Sequence, residues 1–222
     1  MPARRERPSL HDLIHRPTPV TAPLVLNPLM ARMAEAAGFP AGYLGGGSTG
    51  YQKVALEANL NVTEICQTAV DIGAVCSLPL ILDGACGYGD PMHMHRTIGM
   101  SEAAGFQAIE IEDQIVPKRA HHHVGIEHMI PMELMAAKVK EAVAARRNPD
   151  FLIVARTNAI RASTMDDALR RGEAYRRAGA DLLLLSMARS FSRSMTFSMS
   201  VSTGLQSGLV FALAPNPSAS SS

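Results

Sequence analysis

The sequence has few cysteines, almost no net charge and no long apolar segment. Three cysteines in 222 residues, none in CxxC spacing, argue against a disulfide framework and a zinc ribbon. A net charge of +1 gives no reason to expect binding to nucleic acid or to an anionic membrane. No apolar run approaches the roughly 18–20 residues of a membrane span, and no apolar stretch follows the basic N-terminus as in a secretory signal. These absences predict a soluble, reduced, cytoplasmic globular protein whose partners are neither nucleic acid nor membrane.

Short apolar runs alternate with helical segments along most of the chain. Apolar residues make up 47% of the sequence, enough for a sizeable core, and charged residues 18%, too few for a disordered chain. This alternation predicts βαβ units and a parallel sheet. Because no GxGxxG motif follows the first run, it favours a (β/α)8 barrel of the TIM type over a dinucleotide-binding sheet. The runs span residues 22–26, 41–45, 78–83, 107–113, 151–156 and 181–185, and the predicted helices lie at 28–37, 62–75, 92–104, 131–143 and 163–178.

The character of the sequence changes after Met187. Residues 188–222 contain eleven serines but no aspartate, glutamate or lysine, and neither helical nor strand periodicity continues there. Since a (β/α)8 barrel takes about 250 residues, we expect an α/β barrel that is truncated after about six βα units. The chain then divides into an N-terminal arm (1–19), an incomplete barrel (20–187) and a serine-rich tail (188–222) that is disordered or frame-shifted.

Polar residues stand where the predicted strands end. In a parallel barrel the carboxyl ends of the strands meet at one mouth, where functional groups lie. Carboxylate oxygens suit Mg2+ or Mn2+, and a neighbouring arginine can hold a substrate carboxylate through two hydrogen bonds. The alternative is that these charges only solvate the rim of the barrel. The strand-end residues are Asn27, the loop Gly45–Gly50, Asp83, Glu112 with Asp113, and Arg156 with Asn158.

Two glycine-rich segments and a histidine cluster also follow these strands. Gly45–Gly50 can cradle an anion through its amides or serve as a flexible turn. Asp83–Asp90 contains three glycines that permit close approach of the backbone to a ligand, and Cys86 within it is expected to pack rather than react. The contiguous histidines 121–123 lack the spacing of a zinc site, because adjacent side chains rarely converge on one ion.

Four motifs in fixed order give the sequence a family resemblance. They are Asp83 with Gly87-Tyr-Gly89, Ile109-Glu-Ile-Glu-Asp-Gln114, Pro117-Lys-Arg119 and Ala155-Arg-Thr-Asn158. Across residues 20–187 the chain resembles the isocitrate lyase/phosphoenolpyruvate mutase superfamily, in particular its 2-alkylmalate, 2,3-dimethylmalate and methylisocitrate lyases. The resemblance implies a (β/α)8 barrel in which Mg2+ (or Mn2+) holds a 2-oxo or 2-hydroxy acid, and a reaction through a metal-bound enolate.

The resemblance also implies roles for individual residues. Asp83 corresponds to the direct metal ligand, and Glu112 to a second acidic member of the metal shell that often acts through water. Arg156 corresponds to the clamp on the substrate carboxylate, with Asn158 beside it as a substrate-binding residue. Lys118 lies on the loop that covers the site in the family and is a catalytic candidate together with Arg156. The backbone amides that grip the substrate carboxylate belong to Gly45, Gly46 and Gly47.

Two positions depart from the family pattern. The second aspartate expected two residues after Asp83 is Ala85, so the metal shell loses one carboxylate. The lyase loop motif Lys-Arg-Cys-Gly-His is replaced by Lys-Arg-Ala-His-His over residues 118–122, and Ala120 cannot transfer a proton. His121 or His122 is the candidate to replace the missing acid or base, since imidazole titrates near neutral pH.

The sequence leaves three functions open. The first is an Mg2+-dependent carbon–carbon lyase that cleaves a small 2-hydroxy dicarboxylate to a 2-oxo acid. The second, favoured by the missing loop cysteine, is an oxaloacetate decarboxylase or a phosphonopyruvate- or carboxyphosphonate-type mutase of the same superfamily. The third is a truncated, catalytically inactive barrel. The resemblance also implies a homotetramer that forms by exchange of a C-terminal helix, although nothing after Met187 resembles that helix.

Overall fold

The computed structural model describes residues 8–115 and 128–186 and the backbone of residues 209–211. In chain order its first six strands are β1 (Val20–Ala22), β2 (Gly42–Leu44), β3 (Leu80–Asp83), β4 (Ala108–Glu112), β5 (Leu152–Thr157) and β6 (Leu182–Leu185). Strands β2 to β6 form one parallel sheet in this order. The segment after β1 joins it, because the Tyr43 amide donates to Pro23 and the Val25 amide to Tyr43, each at 2.9 Å. The parallel α/β class and five of the six predicted strands are thereby confirmed. The first run, predicted at 22–26, overlaps β1 only at Ala22 and joins the parallel sheet through a single bridge at Leu24.

A seventh strand lies in the predicted serine-rich tail. It is β7 (Leu209–Phe211), and it pairs antiparallel with β1 so that Val20 stands opposite Phe211. The remainder of that predicted tail lies outside the described residues.

Eight α-helices occur among the described residues, and the five longest match predicted segments. These five are α2 (Pro28–Ala36), α4 (Val62–Gly73), α5 (Met94–Ala104), α6 (Met132–Ala145) and α8 (Met165–Arg177). The three short helices were not predicted: α1 (Leu10–Ile14), α3 (Gly46–Gln52) and α7 (Ala159–Ala162).

Side-chain caps explain where several helices begin. Asn27, Asn61 and Thr164 each accept a hydrogen bond from a backbone amide of the following first turn, which satisfies a donor that the helix itself leaves unpaired. The N-cap residue of helix α8 is therefore Thr164, one residue later than the predicted Ser163. Asn27, which the sequence placed among the strand-end candidates, is occupied as a helix cap.

Successive strand residues alternate between two cores. Residues such as Leu82, Ile109 and Ile153 pack against the helices, whereas their neighbours Ile81 and Ala108 belong to a second core on the opposite face of the sheet. We call the sheet face that carries this second core the inner face. Because side chains of a strand alternate with a period of two, positions two and four residues after a member of this core also lie on the inner face. The inner-face positions nearest the carboxyl ends are Asp83, Glu110, Glu112 and Arg156. The inner face is therefore apolar at one end and charged at the other.

Helix α1 packs on the apolar end of this inner core. Leu10 and Leu13 are buried there with residues of β1 and β3. Gln107 fixes the helix in place, since its Oε1 accepts from the Leu10 amide at 2.6 Å and its Nε2 donates to the Pro8 carbonyl at 3.0 Å. One side chain thus ties the N-terminal segment to the start of β4.

All three cysteines are free and buried, in agreement with the expectation that the chain has no disulfide framework. Every helix in the described part of the chain is too short or too polar to cross a lipid bilayer.

The Gln107 contacts predict a stability change. Gln107→Ala removes two hydrogen bonds to α1 and should lower the free energy of unfolding by about 1–2 kcal/mol, measured by urea denaturation. Gln67→Ala is the control, because Gln67 is exposed and bonds only to Asp71 on its own helix. Equal effects of the two substitutions would contradict the role given to Gln107.

Candidate active site

Asp83 ends strand β3 with its carboxylate held by two backbone amides. The Gly46 amide donates to Oδ2 at 2.8 Å and the Ala85 amide to Oδ1 at 3.1 Å. A carboxylate offers about four lone-pair sites, so these two bonds orient Asp83 and leave acceptor capacity for a cation. Asp83 is partly exposed, which makes it accessible at the charged end of the inner face.

The glycine segment after β2 forms a helix, which corrects the prediction that it could serve as a flexible turn. Gly45 is the N-cap residue of α3 and Gly46 its first residue. Close packing explains two of the glycines: a Cβ on Gly45 would lie 2.9 Å from Leu24 Cδ1, and one on Gly46 would lie 2.8 Å from Glu57 Oε1. A Cβ on Gly47 would be 3.6 Å from its nearest neighbour, an ordinary contact. The structure therefore brings this predicted segment directly against Asp83.

Glu112, Arg156 and Asn158 meet at the ends of β4 and β5, as the strand-end pattern predicts. The Asn158 Nδ2 donates to Glu112 Oε2 at 2.8 Å, while its Oδ1 accepts from Arg156 Nε and NH2 at 3.3 and 3.2 Å. The Arg156 Nε also lies 3.4 Å from Glu112 Oε2. Asn158 thus bridges the carboxylate and the guanidinium and fixes their relative orientation.

Glu110 and Tyr43 complete this cluster, and sequence reasoning missed both. Arg156 NH1 donates to Glu110 Oε1 at 2.8 Å, and the Tyr43 hydroxyl donates to Oε2 at 3.1 Å. Burial raises the pKa of Glu110 to about 7; the charge of Arg156 opposes this rise, whereas Asp83 and Glu112 add to it. The alternation of side chains along a strand could have identified Glu110, because a strand that places Glu112 on the inner face also places Glu110 there.

Glu57 is a second carboxylate that the sequence did not single out. It is 8% exposed and belongs to a short 3₁₀ turn, Glu57–Asn59, that follows α3. Its carboxylate packs against Gly46, the residue whose amide donates to Asp83. Burial raises the pKa of Tyr88, and the charges of Asp83 and Glu57 raise it further. No local sequence motif identifies Glu57 as a site residue, because only the fold of the chain places it beside Gly46.

Asp113, grouped with Glu112 by sequence, faces away from the candidate site. Its Oδ2 accepts from Thr157 at 2.6 Å and, on helix α8, from Tyr175 at 2.8 Å and from Arg171 at 3.1 Å. Its Oδ1 accepts from the Asn158 amide at 3.0 Å. Asp113 therefore supports the site from behind by holding the backbone of Asn158, and it is fully engaged as a structural acceptor.

The turn after Asp83 is attached to the end of β4 by its backbone. The Gly84 amide donates to the Glu110 carbonyl and the Glu112 amide to the Ala85 carbonyl, both at 2.8 Å. A Cβ on Gly84 would lie 2.6 Å from the Glu110 carbonyl oxygen, so this approach requires glycine. Cys86 in the same turn is buried, as expected of a packing residue. These bonds place Asp83 and Glu112 on neighbouring strand ends.

The donor set can be compared with the needs of a divalent cation. Within the part of the chain that the structure describes, no three histidine, cysteine or carboxylate side chains are grouped as a complete metal site. Mg2+ usually keeps several waters and takes only one or two protein carboxylates. Asp83 and Glu112 meet that requirement in number and in oxygen chemistry. The catalytic candidates Lys118 and His122, like His121, lie outside the described residues.

A parallel strand–helix sheet with carboxylates and an arginine at the carboxyl ends of its strands defines an α/β protein of the TIM-barrel type. The model of the phosphoenolpyruvate phosphomutase family matches residues 10–217. The chain belongs to this family, and the superfamily indicated by its motifs is confirmed.

Three similar proteins show the breadth of the family. The 2,3-dimethylmalate lyase of Eubacterium barkeri is 36% identical over 182 residues, which are 79% of this chain and 61% of that protein. An oxaloacetate decarboxylase of Paraburkholderia xenovorans is 32% identical over 182 residues, 81% of this chain and 60% of that protein. The crystal structure of a phosphonopyruvate hydrolase complex with oxalate and Mg2+ matches with a TM-score of 0.74 at 32% identity, covering 81% of this chain and 62% of that one. The chain thus spans about three fifths of the length of the relatives it matches.

The pKa of Glu110 predicts how stability depends on pH. Because the folded state binds this proton more tightly than the unfolded chain, the contribution of Glu110 is complete below pH 4.5 and is lost as the pH rises through about 7. In metal-free buffer, Glu110→Gln should flatten the decline in unfolding free energy between about pH 5 and pH 8. Glu133→Gln, on the exposed surface of α6, should keep the wild-type slope. If the unfolding free energy of Glu110→Gln declines with pH as steeply as that of the wild type, the raised pKa of Glu110 is contradicted.

The close approach at Gly84 predicts opposite effects of one substitution at two glycines. Gly84→Ala places a methyl group against the backbone of β4 and should lower the unfolding free energy by about 1–3 kcal/mol. Gly99→Ala, in the middle of α5 with nothing within 4 Å of the added Cβ, should raise it by about 0.5–1 kcal/mol. Urea denaturation of both variants measures the contrast, and a neutral Gly84→Ala would contradict the described turn.

Proposed function

We propose that this chain carries the site of a carbon–carbon lyase that cleaves a small 2-hydroxy dicarboxylate, of the 2-alkylmalate or methylisocitrate type, to a 2-oxo acid. The observation that carries the proposal is the meeting of Asp83, Glu112 and Arg156 at the carboxyl ends of neighbouring strands. The 36% identity to a 2,3-dimethylmalate lyase supports the choice of substrate class.

A magnesium or manganese ion is the proposed cofactor. Asp83 would hold it directly and Glu112 through a water molecule, which accords with the accessible Asp83 and the buried Glu112. When bound, such an ion supplies Lewis acidity that stabilises negative charge on an enolate oxygen. The Mg2+ in the complex of the similar phosphonopyruvate hydrolase supports this proposal.

Arg156 and the glycine segment are proposed to bind the substrate carboxylate. Arg156 uses three of its N–H groups on Glu110 and Asn158, and a guanidinium has five. One N–H on each terminal nitrogen is then available to a carboxylate, which accepts two parallel bonds well. The Gly46 amide already bonds to Asp83, so the amides of Gly45 and Gly47 are the ones proposed to face the substrate.

The bond cleavage requires a base that removes the proton of the substrate hydroxyl. The bond between the hydroxyl-bearing carbon and its neighbour then breaks. The hydroxyl-bearing carbon becomes the carbonyl of the 2-oxo acid, and the electron pair of the broken bond forms the enolate of the second carboxylic acid, which is reprotonated at carbon. Lys118 and His122, or His121, are proposed for these proton transfers because Ala120 stands where family lyases carry a cysteine.

A second activity is supported by the same observation at Ala120. A decarboxylase or phosphonate-handling enzyme of the family does not depend on the lyase cysteine, and the similarity to an oxaloacetate decarboxylase supports this alternative.

The homotetramer, the cytoplasmic location and the three-part division of the chain also stay predictions.

Ligand-dependent stability tests the site. Mg2+ with oxalate, an analogue of the pyruvate enolate, at about 100 times its dissociation constant should add about 2.7 kcal/mol to the folded state, seen as a higher melting temperature. Asp83→Asn should abolish this increase, and Asp71→Asn, on the exposed face of α4, should preserve it. A cooperative melt that does not respond to the ligands would favour the inactive barrel over both enzymes.

Product analysis separates the activities. Purified chain with Mg2+ is given 2,3-dimethylmalate, 2-methylisocitrate, oxaloacetate or phosphonopyruvate. Release of pyruvate is measured, together with formation of phosphoenolpyruvate when the substrate is phosphonopyruvate. Turnover of a hydroxy dicarboxylate supports the lyase, whereas turnover of oxaloacetate or phosphonopyruvate alone overturns it in favour of the second activity.

A further inference from the structure

Lys138 lies in the middle of the buried face of α6. It is 1% exposed, and the neighbours on that face, Met135, Val139 and Ala142, are apolar. Burying an ammonium group is costly unless it is well hydrogen-bonded. Burial accordingly lowers the pKa of Lys138, although the nearby Cys86 and Asp90 oppose the shift. A methionine would continue the apolar face at a lower cost, so a lysine here calls for a specific contact.

That contact is made with the turn that carries Asp83. The Lys138 Nζ donates to the carbonyl oxygen of Cys86 at 2.8 Å, across 52 residues of sequence. Cys86 lies three residues after Asp83, in the connection between β3 and α5. The bond therefore links α6 directly to the candidate metal site.

This turn has an unusual backbone. Ala85, Gly87, Tyr88 and Gly89 have φ angles of +47°, +82°, +59° and +158°. Left-handed conformations are unfavourable for residues with a Cβ, which applies to Ala85 and Tyr88. Such conformations persist where the surrounding structure holds them in place. The local sequence alone does not stabilise this turn.

Contacts from outside the turn supply that restraint. Lys138 holds the carbonyl of Cys86, and the Thr97 hydroxyl donates to the carbonyl of Gly87 at 2.9 Å. The Ala85 amide, one residue before Cys86, donates in turn to Asp83 Oδ1 at 3.1 Å. A short chain of contacts thus runs from Lys138 through the Cys86–Ala85 backbone to the Asp83 carboxylate.

We propose that Lys138 is a positioning residue of the candidate metal site: its buried ammonium group holds the Cys86 carbonyl and thereby fixes the turn that orients the Asp83 carboxylate. The part of this inference that concerns the metal rests on the proposed function. The part that concerns the turn rests on the hydrogen bonds alone.

Lys138→Met tests the inference, with Lys140→Met as the matched control on the exposed side of the same helix. Both variants are first melted in EDTA to establish that they fold. Hydrogen exchange of a peptide spanning residues 83–90 is then measured without metal, and the Mn2+ dissociation constant is measured by electron paramagnetic resonance. For Lys138→Met we expect exchange at least about tenfold faster and Mn2+ binding about tenfold weaker, the usual scale for groups that orient metal ligands. Lys140→Met should match the wild type in both.

Each outcome bears on a different part of the inference. Unchanged exchange in a folded Lys138→Met overturns it whatever the metal does. Faster exchange with unchanged Mn2+ affinity overturns the positioning of Asp83, provided that Asp83→Asn abolishes binding. If the wild type does not bind Mn2+, the proposed function fails, while the exchange data still decide whether Lys138 orders the turn. Should Lys138→Met not fold, Lys138→Gln, which keeps a shorter donor, is measured in the same way.

Discussion

The buried guanidinium of Arg156 is the charge on which the acidic end of the inner core depends. Taking a carboxylate out of water without a partner costs several kcal/mol, and Glu110 and Glu112 are each only 1% exposed. Arg156 lies 2.8 Å from the first and 3.4 Å from the second. Asn158, which accepts from Arg156, donates from its side chain to Glu112 and from its backbone amide to the Asp113 carboxylate. Removing the arginine would leave two buried carboxyl groups without their cationic partner, which favours the protonated form of Glu110, so these residues form one electrostatic unit.

The strands and long helices could be predicted because the local pattern of apolar and polar residues indicates each of them. Apolar runs of strand length alternate with amphipathic segments, and burial of both faces of the sheet requires that pattern. The short helices could not be predicted from such signals. Helix α1 is five residues long and is held to the sheet by Gln107, almost a hundred residues away, which accepts from the Leu10 amide. Helix α3 begins in a run of glycines that favours no helix by itself. Tertiary contacts, not propensity, stabilise both.

The candidate site was predictable to the extent that it lies at strand ends. Asp83, Glu112 and Arg156 terminate apolar runs, and the topology of a parallel sheet brings such positions together. Glu110 was missed because it lies within a strand, although the alternation of side chains was enough to find it. Glu57 was beyond reach, since a turn folds back to place it beside Gly46 and no spacing rule anticipates that return.

The backbone at Ala85 bears on the carboxylate that the family pattern has and this chain lacks. Its φ of +47° lies in the left-handed region, where aspartate and asparagine are far more common than alanine. The turn thus has a backbone shape that would also suit the aspartate that the family resemblance implies at this position. Alanine and aspartate codons can differ by a single nucleotide, so loss or recovery of that carboxylate is one mutational step that requires no rebuilding of the turn.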